Sequence, residues 1–102
     1  NGSSDGPFCF CGFKARWIMV KRTDTSNNWE VWDTARSTYN VASKYLSPNL
    51  SDTEYDFGTT DAVDVNANGF KLRASNAAVN ASGGTYVFAA FSESPFKYSL
   101  AR

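Results

Sequence analysis

The sequence predicts an all-β fold, an antiparallel β-sandwich of about six to eight short strands. Three observations predict it. Short β-branched and aromatic runs recur between turn signals, as in "RWIMVK", "NWEVWDT", "FKLR" and "TYVFAAFS". Aromatic residues make up 16% of the 102 positions, and large rings suit a thin core between two sheets. No segment carries a convincing helical apolar period. The length fits one small domain, and a hydrophobic share of 42% can offset the entropy of ordering most of it.

Residues 1–7, "NGSSDGP", read as a loop or linker remnant, and residues 8–102 as a single sandwich domain. The chain opens within a loop, with neither an initiator Met nor a signal peptide, so it is expected to be an excised or processed piece of something longer. Residues 6–22, "GPFCFCGFKARWIMVKR", read as one long extended run in which Gly12 permits a kink or bulge. Ile18 and Val20 take one face and Trp17 and Met19 the other, which suits a central strand. The polar "KRTDTSNNW", with Asp24, Asn27 and Asn28 as turn formers, makes a hairpin to "NWEVWDT". There Trp29, Val31 and Asp33 share one face, and Glu30, Trp32 and Thr34 the other.

Residues 35–58 read as a long connection holding a short strand near Tyr45 and Leu46 and another from Tyr55 to Phe57, although "VASKYL" also fits one helical turn. "DAVDVNANGFKLRAS" is the clearest hairpin, its turn expected at Asn68-Gly69 because both positions tolerate positive φ. Val63 and Val65 precede that turn, and Phe70 and Leu72 follow it with period two. "NAAVNASGGT" reads as a further turn region. "TYVFAAFSESPFKYS" closes the domain, bent or ended by Pro95.

Composition removes several functions. Ten basic and ten acidic residues cancel, which argues against nucleic acid as the main partner and against steering to anionic membranes. No apolar run approaches the ~20 residues of a membrane span. The chain has no histidine, which removes the commonest general base, the Ser-His-Asp arrangement and most zinc sites. No catalytic residue and no cofactor are expected.

Each remaining candidate has an ordinary reading beside the functional one. Cys9 and Cys11 fall short of the four or so ligands zinc needs, and a disulfide across one residue is strained, so two semi-apolar thiols on a strand face is preferred. Asp52, Glu54 and Asp56 alternate, with Asp61 and Asp64 behind them; a calcium cluster and a paired-carboxylate glycosidase compete with a solvated strand face that discourages edge pairing, and the last is preferred. Asp33 and Arg36 suit an ion pair pinning a strand end, or else an Arg presented to an acidic ligand. Among Trp17, Trp29 and Trp32, at least two are expected in the core, leaving one to stack on a sugar. Asn1, Asn49 and Asn80 begin Asn-x-Ser triplets, acceptors only in a secretory pathway.

The stretches "DGPFCFCGFKARWIMVKRTD", "WEVWDTAR", "NGFKLR" and "NASGGTYVFAAFSESPFKYSLAR", in this order, resemble a domain that recurs in tailed-bacteriophage virion proteins, especially tail fibres and related minor structural proteins. The matching positions are Gly12, Phe13, Trp17, Lys21, Trp29, Asp33, Arg36, Asn68, Gly69, Phe70, Tyr86, Ala90, Phe91 and Pro95, over about residues 5–102. Ala15 stands where those domains usually have Pro. The resemblance implies a concanavalin- or jelly-roll-like, lectin-like sandwich and a place in a virion made in the host cytoplasm, where reducing conditions keep Cys9 and Cys11 as thiols. It carries over no ligand-binding residue.

The expectation is therefore a non-enzymatic virion module of a tail fibre or similar appendage, forming a homo-trimer and contacting other virion proteins and a host-surface glycan or protein. Loops 23–28, 35–51 and 76–84 are the contact candidates, with Asn27, Asn28, Arg36, Tyr39, Tyr45 and Asn80 as binding residues. A decoration domain that binds only virion proteins, and a carbohydrate-binding module of a larger enzyme, are the alternatives.

Overall fold

The computed structural model describes residues 1–56 and 62–92; Phe57, Asp61 and Pro95 lie outside the described residues. In chain order the elements are β1 (Phe8–Phe10), β2 (Ala15–Arg22), β3 (Glu30–Asp33), β4 (Lys44–Leu46), β5 (Tyr55–Asp56), β6 (Val63–Asn66), β7 (Gly69–Leu72), the single turn α1 (Ala77–Asn80) and β8 (Tyr86–Ser92). They build a β-sandwich of two antiparallel sheets, ordered β1-β7-β6 and β5-β4-β3-β2-β8.

The run 6–22 is not one strand. Gly12 takes φ +82°, open to a residue without Cβ, and turns the chain from one sheet into the other. The N–H groups of Cys11 and Gly12 both donate to the Asn68 carbonyl, each at 3.0 Å. The second hairpin also differs from expectation. Asn66 pairs with Gly69, so the turn residues are Ala67 and Asn68, and neither has positive φ. Gly69 is the first residue of β7, and a Cβ there would lie 2.2 Å from the Cys9 carbonyl oxygen. Its glycine permits the close approach of β1, not the turn.

The core fills from alternate positions of both sheets: Ile18 and Val20 of β2, Trp32 of β3, Val63 and Val65 of β6, Phe70 and Leu72 of β7. "VASKYL" forms no helical turn and ends in strand β4; Tyr45 lies opposite Trp32, with their rings 5.7 Å apart, and stacks on Tyr55 at 5.0 Å. "NAAVNASGGT", expected as turn alone, contains α1, whose N-cap Asn76 accepts from the Ala78 N–H at 2.8 Å.

The two long sides of the sandwich differ. Beside β6, the Asn40 amide donates to the Val65 carbonyl and accepts from its N–H at 3.0 and 2.9 Å. Ala42 then bridges Val63. This segment covers the β6 edge as the chain passes into β4. Residues 1–7 form neither strand nor helix and are fastened to the domain. The Gly6 N–H donates to the Leu72 carbonyl at 3.0 Å and the Leu72 N–H to the Pro7 carbonyl at 3.1 Å, continuing the β1–β7 pairing, and Lys71 holds both the Gly6 carbonyl at 2.7 Å and the Asp5 carboxylate at 2.9 Å.

Gly69→Ala is expected to destabilise the domain by about 3 kcal/mol or more, because backbone rather than a flexible side chain blocks the new methyl. Urea unfolding measures it; an unchanged midpoint would contradict the close approach of β1.

Candidate interaction face

The outward face of the five-stranded sheet follows from register. Ile18 and Val20 point into the core, so Trp17 and Met19 point out. Residues directly opposite across a ladder share a face. Trp17 lies opposite Phe91 on β8 and Asp33 on β3. Met19 lies opposite Ala89 and Val31, and Val31 lies opposite Leu46. One apolar row therefore crosses the sheet from Ala89 to Leu46, beside a second in which the Trp17 and Phe91 rings sit 5.3 Å apart.

The chain after β4 folds over the end of these rows. Pro48 and Leu50 complete a shallow hollow of about 420 Å³ with Trp17, Met19, Val31 and Leu46, and Asp52 stands at its rim. An adjoining hollow of about 330 Å³ lies between Met19, Trp29, Pro48 and Asn49. Phe91 is 59% exposed, Val87 51%, Leu50 40% and Leu46 37%. The outer face of an antiparallel sandwich is ordinarily polar. A contiguous apolar patch on it marks an interaction surface.

Charge flanks the apolar rows on this face, with Lys21 opposite Val87 and Asp33 opposite Trp17. Arg36 Nε donates to Asp33 at 2.7 Å, Nη1 to Glu54 at 3.1 Å and Nη2 to the Val31 carbonyl at 3.3 Å. Burial works to raise the Asp33 carboxyl, but the Arg36 guanidinium and the N–H groups of Arg36 and Ala35 outweigh it and hold the group below the ordinary carboxylate value. The Asp33–Arg36 reading as a link that pins the end of β3 is what the geometry shows. The alternating carboxylates each take a different partner: Asp52 accepts from the Tyr55 hydroxyl, Glu54 from Arg36, and Asp56 from Ser43 Oγ at 2.9 Å. Among the described residues no three His, Cys, Asp or Glu side chains form a group able to hold a metal ion.

The six residues expected to bind do not converge. Tyr39 is 85% exposed, on the connection between β3 and β4. Asn27 is half-buried, and Asn28 accepts from Asn49 Nδ2 at 3.1 Å, while Asn49 Oδ1 accepts from the Trp29 N–H. Arg36 is committed to its three acceptors. Tyr45 and Asn80 must be corrected, because both are core residues at 6% and 2% exposure. Asn80 Nδ2 donates to the carbonyls of Ala74 and Ser3, each at 2.8 Å, and so fastens residues 1–7 to α1. Its Asn-x-Ser triplet is equally inaccessible at the acceptor atom.

Cys9 and Cys11 are free thiols, packed against the core. Burial raises both, and the neighbouring Cys11 raises Cys9 further, so neither is a ready thiolate at neutral pH. Leu46, Pro48 and Leu50 lie within the 35–51 contact candidate but, like Phe91, are not among the six named binding residues. The alternation Val87, Ala89, Phe91 was readable as an outward apolar face; its alignment with Trp17 and Met19 was not.

Asn80→Ala is expected to cost about 2–4 kcal/mol in denaturant unfolding, since it orphans buried carbonyls, whereas a surface Asn would cost under ~0.5 kcal/mol. Asp33 has a depressed pKa in the folded chain, so its contribution is present above the unfolded value of about 3.9 and lost as pH falls through the folded one. Asp33→Asn should therefore lower stability at pH 7 and flatten the decline below about pH 4; parallel stability–pH curves for the two chains would refute this.

The family model described as "Domain of unknown function (DUF7483)" matches residues 1–95, and the chain belongs to that family. No curated protein and no solved structure matches it.

Proposed function

We propose that this domain is a non-enzymatic assembly module of a phage virion appendage, a tail fibre or similar structure, that docks onto other virion subunits through the outer face of its five-stranded sheet. The apolar rows joining Phe91, Trp17, Met19, Val31, Leu46 and Leu50 carry this reading. The virion setting rests on the resemblance of the ordered motifs, and copies of the chain arranged as a homo-trimer are the simplest partner that would cover the face. Receptor contact through the polar loops draws less support, because Tyr45 and Asn80 are buried and Arg36 is engaged by Asp33, Glu54 and the Val31 carbonyl.

One observation favours a second reading, contact with a host-surface glycan. The half-open Trp29 ring stands over a hollow beside Pro48 and Asn49, which suits stacking on a sugar face.

Light scattering on the purified chain and on Phe91→Ser/Leu50→Ser tests the first reading. Each substitution removes about 2 kcal/mol of apolar burial at an interface, so together they weaken association by roughly a thousandfold. A trimeric parent and a monomeric variant with unchanged circular dichroism are expected. A parent that stays monomeric and binds no appendage subunit defeats the proposal; glycan binding lost in Trp29→Ala would then favour the second reading.

A further inference from the structure

We infer that the space between the sheets on the β1/β8 side is a binding site for a small, uncharged, apolar molecule. The cavity there is about 290 Å³. Its walls come from every layer: Cys9 of β1, Val20 of β2, Phe70 and Leu72 of β7, Val79 of α1 and Phe88 of β8. Phe70 and Phe88 meet edge to face at 5.1 Å, and Phe88 stays 46% exposed, so the aromatic wall reaches solvent at the mouth.

The polar groups on the wall are already engaged. The Tyr86 hydroxyl donates to the Ala77 carbonyl and accepts from the Ala81 N–H, both at 2.7 Å. The Asn80 amide is held by Ala74 and Ser3. Among the described residues no Lys, Arg, Asp or Glu side chain lines the cavity; the Asn1 ammonium on its wall is bonded to Asn80 Oδ1 at 2.6 Å, and burial keeps the Cys9 thiol neutral. An ion would lose its hydration to a wall whose ammonium is already bonded to Asn80, and water would find few of the two to four partners it needs. An apolar cavity of about 150 Å³ accepts benzene, so this one suits roughly two fused rings or a short hydrocarbon chain. The site lies on the opposite side of the large sheet from the docking face and is independent of it.

Cys9 lines the cavity and Cys11 does not, so a Cys11→Ser chain carries one reporter thiol inside the site. Naphthol and naphthalenesulfonate share a ring system and differ in charge. Alkylation of Cys9 should slow about tenfold at ten times the naphthol dissociation constant, while the sulfonate leaves it unchanged. Equilibrium dialysis should show one saturable naphthol per chain, lost in Ala81→Phe, which fills the cavity from its rim. Equal protection by both probes, no naphthol uptake up to its solubility limit, or uptake that survives Ala81→Phe in a folded chain would overturn the inference. The comparison of the two probes stands whether or not that variant folds.

Discussion

The sandwich hangs on one carbonyl. Asn68 O receives the N–H groups of both Cys11 and Gly12, and so fixes the corner at which a single run of chain leaves the small sheet and enters the large one. Without that corner β1 and β2 would continue as one strand, and the two sheets would share no covalent hinge at this end. The same hairpin end supplies Gly69, where the absence of a Cβ lets β1 lie against β7. Asn68 and Gly69 thus act as anchor and clearance for a third strand. Beyond the corner, β2 becomes an interior strand of the large sheet, flanked by β3 and β8, and its alternation decides which side chains form the core and which form the outer face.

The asymmetry of the two long sides follows from what the chain does next. On one side the connection from β3 to β4 passes along β6, and Asn40 and Ala42 take its free backbone groups. On the other side β1 and β8 belong to different sheets and do not pair. The gap between them is spanned by α1 and the turn at Gly83, whose φ of +74° suits a residue without a side chain. One residue, Asn80, satisfies the carbonyls that this arrangement leaves inside. A side closed by hydrogen bonds is filled, whereas a side closed by a short helix and a loop keeps a cavity.

Edges and charges are handled in matching ways. The β5 edge is two residues long and carries Asp52, Glu54 and Asp56 nearby, a combination that discourages pairing with another chain. The β8 edge runs seven residues without a charge or a proline. Ion pairs such as Asp33–Arg36–Glu54 and Arg22–Asp24 neutralise charge locally at loops and strand ends. With a net charge of zero the domain offers little long-range steering, and its distinguishing surface is the apolar one.

The strands were legible where period-two alternation and a turn signal coincided, as in the hairpins around residues 23–28 and 67–68. The sheet switch at Gly12 was not, because a permissive glycine inside an apolar run reads the same as a bulge. Gly69 was recognised as special for a reason the backbone does not use; what makes it glycine is a strand 60 residues earlier in sequence, from Cys9. The candidate site failed in the same way. Asn, Tyr and Arg in polar stretches look available for contact, yet Asn80, Tyr45 and Arg36 had their hydrogen bonds or ring faces taken up by the fold itself. Composition states what a side chain can do for a partner; only the register of neighbouring strands decides whether anything remains to be done. Trp17, Met19, Leu46 and Phe91, by contrast, keep apolar groups that no neighbour fully covers.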